Sequence, residues 1–155
     1  LYLGDNKFTG TLPTELGQLA YLAELDVNKN NLNGTVPTEL GQLTSLQGLY
    51  LQENIFTGTL PTELGTLRSL QEFNASMNSF TGTIPMDLSG LLNLTSFLFH
   101  DNDLTGSVND VFCSGAGQWD NLQSDCLTTD GENEITCDCC DVCCNANGTD
   151  CEVVG

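Results

Sequence analysis

A period of 24 residues runs through most of the chain, and it limits what the chain can become. Leu1, Leu25, Leu49, Phe73 and Phe97 share one phase, and Leu3, Val27, Leu51, Ala75 and Phe99 follow two places later. Asn6, Asn30, Asn54, Asn78 and Asn102 form a third column, and Gly10, Gly34, Gly58, Gly82 and Gly106 a fourth. Pro13, Pro37, Pro61 and Pro85 complete four of the copies. A unit this short cannot bury its own apolar face, so its copies must stack on one another.

Each column has a local reason. Leu25, Asp26 and Val27 alternate as a short strand with one buried face should. Identical strands then pair side by side as a parallel sheet, about 4.8 Å apart. The asparagines fall where the chain leaves the strand, and a buried carboxamide there can satisfy turn amides and carbonyls of its own and neighbouring coils. The glycines supply freedom at the next bend. Pro13-Thr14-Glu15-Leu16 and its copies start a short helical turn, with Leu16, Leu19 and Leu22 pointing inward.

Together these columns resemble the leucine-rich repeat, LxxLxLxxNxL followed by the plant-type LxGxIPxxLxxL, over residues 1–112. The resemblance implies an α/β fold: a solenoid with a curved parallel β-sheet on the concave side and short helical turns on the convex side. The chain begins part-way through a copy, so the expectation is a set of repeats truncated at the N-terminus. The ladder of Asn6, Asn30, Asn54, Asn78 and Asn102 is then structural, as are the leucines, glycines and prolines.

Function in such a frame belongs to solvent-facing strand positions. The central outward column is Tyr2, Asp26, Tyr50, Asn74 and Leu98. The column after it includes Asn28, Gln52, Ser76 and His100, and the next holds Asp5, Lys29, Glu53, Met77 and Asp101. These positions vary while the framework does not, as a recognition surface or a drifting solvated face would. Tyr2 and Tyr50 are the candidate anchors. His100, the single histidine, is expected to be an exposed residue rather than a metal ligand or base. A second surface motif is Thr9-Gly10-Thr11, repeated at Thr57 to Thr59 and Thr81 to Thr83, which as a regular array could order water.

All eight cysteines lie in the last third: Cys113, Cys126, Cys137, Cys139, Cys140, Cys143, Cys144 and Cys151. The proline column fails at Asn109, and Trp119 and Leu122 have the spacing of a degenerate sixth coil. The expected division is therefore repeats over 1–112 and an acidic, disulfide-rich cap over 113–155. An even cysteine count beside sequons at Asn33, Asn74, Asn93 and Asn147 favours disulfides and N-glycans in the secretory route. The run from Cys137 to Cys144 also has the look of a thiolate cluster for Zn²⁺ or Cu⁺, disfavoured because no lysine offsets its charge. Asp130-Gly-Glu-Asn-Glu134 lacks the spacing of a dedicated Ca²⁺ loop and reads as a solvated acidic segment. The cap is similar to the ends of leucine-rich-repeat proteins of diatoms and related algae, which implies a receptor-like ectodomain.

The formal charge of −18 makes nucleic acid a poor partner. No apolar run is long enough to insert in a membrane. No nucleophile–base pair, metal motif or phosphate loop falls in register, so neither catalysis nor a cofactor is expected. The expectation is an extracellular or cell-surface module that binds a protein or peptide, with a co-receptor as a further partner. The alternative is an ice- or cell-wall-polysaccharide-binding solenoid.

Overall fold

The computed structural model describes residues 1–108 and Val111, together with the backbone of strand segments at 121–127, 135–136, 142–145 and 151–153. The cysteine side chains, Asn147 and the acidic run 130–134 lie outside the described residues.

Each coil opens on a three-residue strand whose middle residue points into the core: β2 (Glu24–Asp26), β4 (Gly48–Tyr50), β6 (Glu72–Asn74) and β8 (Ser96–Leu98). Their central residues Leu25, Leu49, Phe73 and Phe97 are buried, and these strands pair in parallel with a 24-residue step, Leu25 opposite Leu49 and Phe73 opposite Phe97. Tyr2 bridges Asp26 and adds the first coil to the ladder. At the other end β11 (Asn121–Leu127) joins β8 in parallel, with Leu122 opposite Phe97. The inner strand of the expected sixth coil is thus in place, one residue beyond the 24-residue step. The sheet continues to β13 (Val142–Asn145) and ends on β14 (Cys151–Val153), whose antiparallel pairing closes the seven-stranded row.

A second sheet follows the asparagines: β1 (Thr9–Gly10), β3 (Asn31–Gly34), β5 (Ile55–Gly58), β7 (Ser79–Gly82) and β9 (Asp103–Leu104), all parallel. β10 (Gly106–Ser107) pairs separately with β12 (Ile135–Thr136). In the five-stranded sheet Thr9 faces Asn31, Asn33 faces Ile55, Thr57 faces Ser79 and Thr81 faces Asp103. Each step is therefore two residues short of the repeat, so repeat-mates in this sheet are displaced along the strand instead of lying side by side.

Among the described residues the convex side carries four 3₁₀ turns, η1 (Thr14–Gln18), η2 (Thr38–Gln42), η3 (Thr62–Thr66) and η4 (Met86–Gly90). Pro13, Pro37, Pro61 and Pro85 stand just before them in extended conformation, and the Pro13 carbonyl accepts from Leu16 N at 3.2 Å. Leu40, Leu43 and Leu46 are fully buried, as expected. Their first-coil equivalents are not: Leu19 is 44% exposed, and Leu16 and Leu22 are only partly buried, at the edge of the described coils. Toward the other end the core changes from leucine to packed aromatics, with Phe73 and Phe97 stacked at a centroid distance of 4.9 Å and Phe99 tilted against Phe97 at 4.6 Å.

The asparagine column ties coil to coil. Asn54 Nδ2 donates to Val27 O at 2.9 Å in the preceding coil, and to Leu51 O at 3.1 Å and Gln52 O at 3.3 Å in its own. Its Oδ1 accepts from Leu32 N at 3.0 Å. Asn30, Asn78 and Asn102 repeat the pattern, each also accepting from a backbone N–H of the coil before. Asn6, at the uncovered edge, bonds Leu3 O and Gly4 O of its own coil.

Two left-handed residues shape each turn. The glycine column has φ from 74° to 96°. A Cβ on Gly58 would also lie 2.9 Å from Thr35 Cγ2, so the threonine methyl of one coil packs on the glycine of the next. The second left-handed column is not glycine: Asp5, Lys29, Glu53, Met77 and Asp101 have φ of 49° to 56°. Such residues cost about 1–3 kcal/mol each and persist only where the surroundings hold them. Here the following asparagine fixes the turn.

Asn54→Ala removes one donor group and one acceptor shared by four backbone partners, three of them buried. It should lower stability by about 1–3 kcal/mol, while exposed Gln47→Ala should stay within about 0.5 kcal/mol of wild type. Urea midpoints at equal slope measure both. Equal midpoints for the two variants would contradict a bridging role for the ladder.

Candidate recognition face

The concave sheet aligns two outward rows. Glu24, Gly48, Glu72 and Ser96 lie opposite one another across β2, β4, β6 and β8, and Asp26, Tyr50, Asn74 and Leu98 form the next row. Gly48 sits between two glutamates and leaves a gap. The Tyr50 side chain folds into it, because a Cβ on Gly48 would meet the ring at Cε2, 2.8 Å away. Gly48 is buried beneath this ring and Tyr50 itself is half-buried. The Tyr50 hydroxyl donates to Glu72 Oε2 at 2.7 Å, and the exposed Tyr2 hydroxyl donates to Glu24 Oε2 in the same way.

Burial raises the Tyr50 phenol well above its ordinary range. The hydrogen bond to Glu72 adds to the shift, followed by the charges of Glu72, Glu24 and Asp26. Tyr2 is raised first by its bond to Glu24. Both phenols hold their protons above the ordinary phenol range.

Where the central residue is Asp or Asn, its side chain turns back on the strand end. Asp26 Oδ1 accepts from Asn28 N at 3.0 Å, and Asn74 Oδ1 accepts from Ser76 N at 3.1 Å and Ser76 Oγ at 2.6 Å. The latter pair corrects one sequence expectation. Ser76 is 3% exposed, because its hydroxyl is drawn down to Asn74 and leaves the surface. Asn28, Gln52, Asn74 and Leu98 are half-buried. His100 is not the exposed residue expected. Its side chain is 17% exposed, and Nδ1 lies 3.2 Å from Asp101 Oδ2. Lys29 pairs loosely with Glu53 at 3.9 Å.

The three described sequon asparagines differ. Asn33 is exposed beside Gly34. The Asn74 carboxamide oxygen is held by Ser76, and exposed Asn93 donates to Arg68 O at 2.7 Å. On the second sheet and just past its strands Thr9, Thr11, Thr57, Thr59, Thr81 and Thr83 are all exposed, but the two-residue stagger places Asn31, Ile55, Ser79 and Asp103 directly beside Thr9, Asn33, Thr57 and Thr81. The Gly48 seat and the left-handed column were missed at the level of sequence. A glycine interrupting a glutamate column next to a tyrosine was the available sign of the first.

The family model described as Leucine Rich Repeat matches residues 1–19, 21–43, 45–67 and 69–91, more than half of the chain. The chain belongs to the leucine-rich-repeat family. Its coils are of the plant type, as solved structures with the same architecture show. The plant peptide hormone receptor RGFR1 in complex with RGF2 is 36% identical with a TM-score of 0.75, over 83% of this chain and 22% of that one. The BIR2 ectodomain from Arabidopsis thaliana is 34% identical with a TM-score of 0.70, over 76% and 62%. A plant ice-binding protein is 32% identical with a TM-score of 0.73, over 80% and 40%. This leucine-rich-repeat chain thus spans less than two thirds of each of these proteins. No curated protein sequence matches it. Among the described residues no helix is long and apolar enough to cross a membrane.

The raised Tyr50 phenol carries a pH consequence. A group raised in the folded state contributes its stability below the unfolded phenol value and loses it as pH climbs through the folded one. Glu72→Gln removes the charged acceptor, so the last tyrosine midpoint in an alkaline absorbance titration should fall, and Tyr50→Phe should delete that step. An unchanged midpoint in Glu72→Gln would disprove the coupling.

Proposed function

We propose that this chain is a non-enzymatic recognition module of an extracellular or cell-surface receptor-like protein, binding a protein or peptide on its concave sheet. The observation that carries the reading is the row Glu24, Tyr50 and Glu72. It is a rigid strand surface with a seated aromatic, varied in chemistry from coil to coil within an invariant frame. Tyrosine offers large contact area at low entropic cost, and rigid strands hold it in place before a partner arrives. The likeness to a peptide hormone receptor and to a receptor ectodomain supports this reading. The contact set is Tyr2, Asp26, Asn28, Tyr50, Gln52, Asn74, Leu98 and His100, with Ser76 acting from below through Asn74. A co-receptor would bind elsewhere on the solenoid. The acidic balance argues against nucleic acid, and no cofactor is required.

In the same reading, residues 113–155 form a Cys-rich cap joined by disulfides among the eight cysteines, and Asn33, Asn74, Asn93 and Asn147 accept glycans. A glycan on Asn74 would stand beside Tyr50 and narrow the face to its Tyr2 side.

Selection of phage-displayed random dodecapeptides on the full chain should yield binders. Tyr50→Ala should weaken them by more than about 1 kcal/mol, and Thr57→Ala on the other sheet should not. Binders indifferent to Tyr50 would remove the concave face from the proposal.

A second reading places function on the exposed threonines of the second sheet, supported by their exposure and by the likeness to a plant ice-binding protein. The stagger and the interruption by Ile55 and Asp103 weaken the match to a flat, uniform lattice. Thermal hysteresis decides. Activity in wild type that disappears in Thr57→Lys would move the function to this sheet, and freezing indistinguishable from a buffer control would exclude it.

A further inference from the structure

We infer that the ligand of the concave face is a cationic extended peptide, with an arginine guanidinium seated over the Tyr50 ring between Glu24 and Glu72. The inference rests on the concave-face reading and names the partner class for it. Three observations converge. Glu24, Gly48 and Glu72 are direct neighbours across three strands, so the two carboxylates flank one position at strand spacing on either side. That position has no side chain of its own and is filled by the Tyr50 ring, held by Glu72 through its hydroxyl. An aromatic plate between two carboxylates offers a guanidinium both the partners it favours: a π face and paired oxygen acceptors. An ammonium could use the charge but not the planar fit.

The surroundings have the same sign. The outward columns carry Asp5, Glu24, Asp26, Glu53, Glu72 and Asp101 against Lys29 alone, and Lys29 is already paired with Glu53. Both phenol protons of the row are spent on glutamates, so the tyrosines offer a ligand no free donor. Beside the row, Asn28 Oδ1 and Gln52 Oε1 are the buried side-chain oxygens without a hydrogen-bond partner among the described residues. Both side chains are half-buried. The unmet demand on this surface is therefore for hydrogen-bond donors and positive charge, which an arginine-bearing peptide supplies and an acidic or purely apolar one does not.

Gly48→Ala tests the seat directly. Its backbone is not left-handed, so alanine is compatible with the strand, but its Cβ displaces the ring. The test sequences dodecapeptides selected on the full chain, then measures a selected peptide on Gly48→Ala, on Glu24→Gln/Glu72→Gln, and on the convex-face control Glu15→Gln/Glu39→Gln. Unchanged urea midpoints confirm that each variant is folded. The expected result is enrichment of arginine, with roughly tenfold weaker binding in the first two variants and none lost in the control. Substituting lysine for the peptide's arginine should also weaken binding. Neutral or acidic peptides that still depend on Tyr50 would overturn the cationic ligand and leave concave recognition standing. Arginine-rich peptides weakened equally by the convex control would reduce the effect to net charge and overturn the seat. Binders that ignore every concave variant would overturn both readings.

Discussion

Everything in this solenoid is spaced by one carboxamide per coil. The chain leaves each inner strand through a tight left-handed turn, and the carbonyls there point toward the asparagine column. Asn30, Asn54, Asn78 and Asn102 take those carbonyls and at the same time hold a backbone N–H of the coil before. A shorter side chain would not span both coils, and a charged one would be buried without a counter-ion. The clamp sets the separation and phase of neighbouring coils, and from that phase come the sheet register and the outward rows. Because each clamp reaches only the adjacent coil, stability is a nearest-neighbour sum, and damage at one rung is felt mainly by the two coils it joins.

The recognition face is what remains when that frame is subtracted. Inner strands of three residues present two outward side chains each, so any site must be assembled from several coils. The Glu24, Tyr50 and Glu72 row is such an assembly: three coils contribute one group apiece, and a missing side chain at Gly48 lets a residue two places on occupy the middle. The ordering is preset by covalent and sheet geometry. A partner has little conformational cost to meet on this side of the interface.

The parts of this fold with a period were legible in the sequence, and the parts that depend on one coil's neighbours were not. The inner strands, the asparagine and glycine columns, the proline-led turns and the added strand around Leu122 all follow from spacing, since spacing is what stacking enforces. Ser76 was misplaced because alternation puts it outward, and only its bond to Asn74 draws it in. The threonine motif looked regular along the chain, yet a sheet that advances two residues less than the repeat lays it out obliquely. Tyr50 over Gly48 could not be inferred from either residue alone. The cysteines offered a count but no pairing, because spacing of this kind is compatible with many connectivities.

The left-handed column outside the glycines reaches beyond this one molecule. Asp5, Lys29, Glu53, Met77 and Asp101 stand at the rim of the concave face, where a recognition surface would profit from free choice of side chain, yet the backbone there filters that choice. Valine, isoleucine and threonine crowd the main chain in this conformation and are absent from all five copies. The rim can therefore diversify in charge and length but not in branching at Cβ. Anyone re-engineering the scaffold by randomising its inner surface would do well to withhold those three amino acids at this position and spend the library on the row beside it.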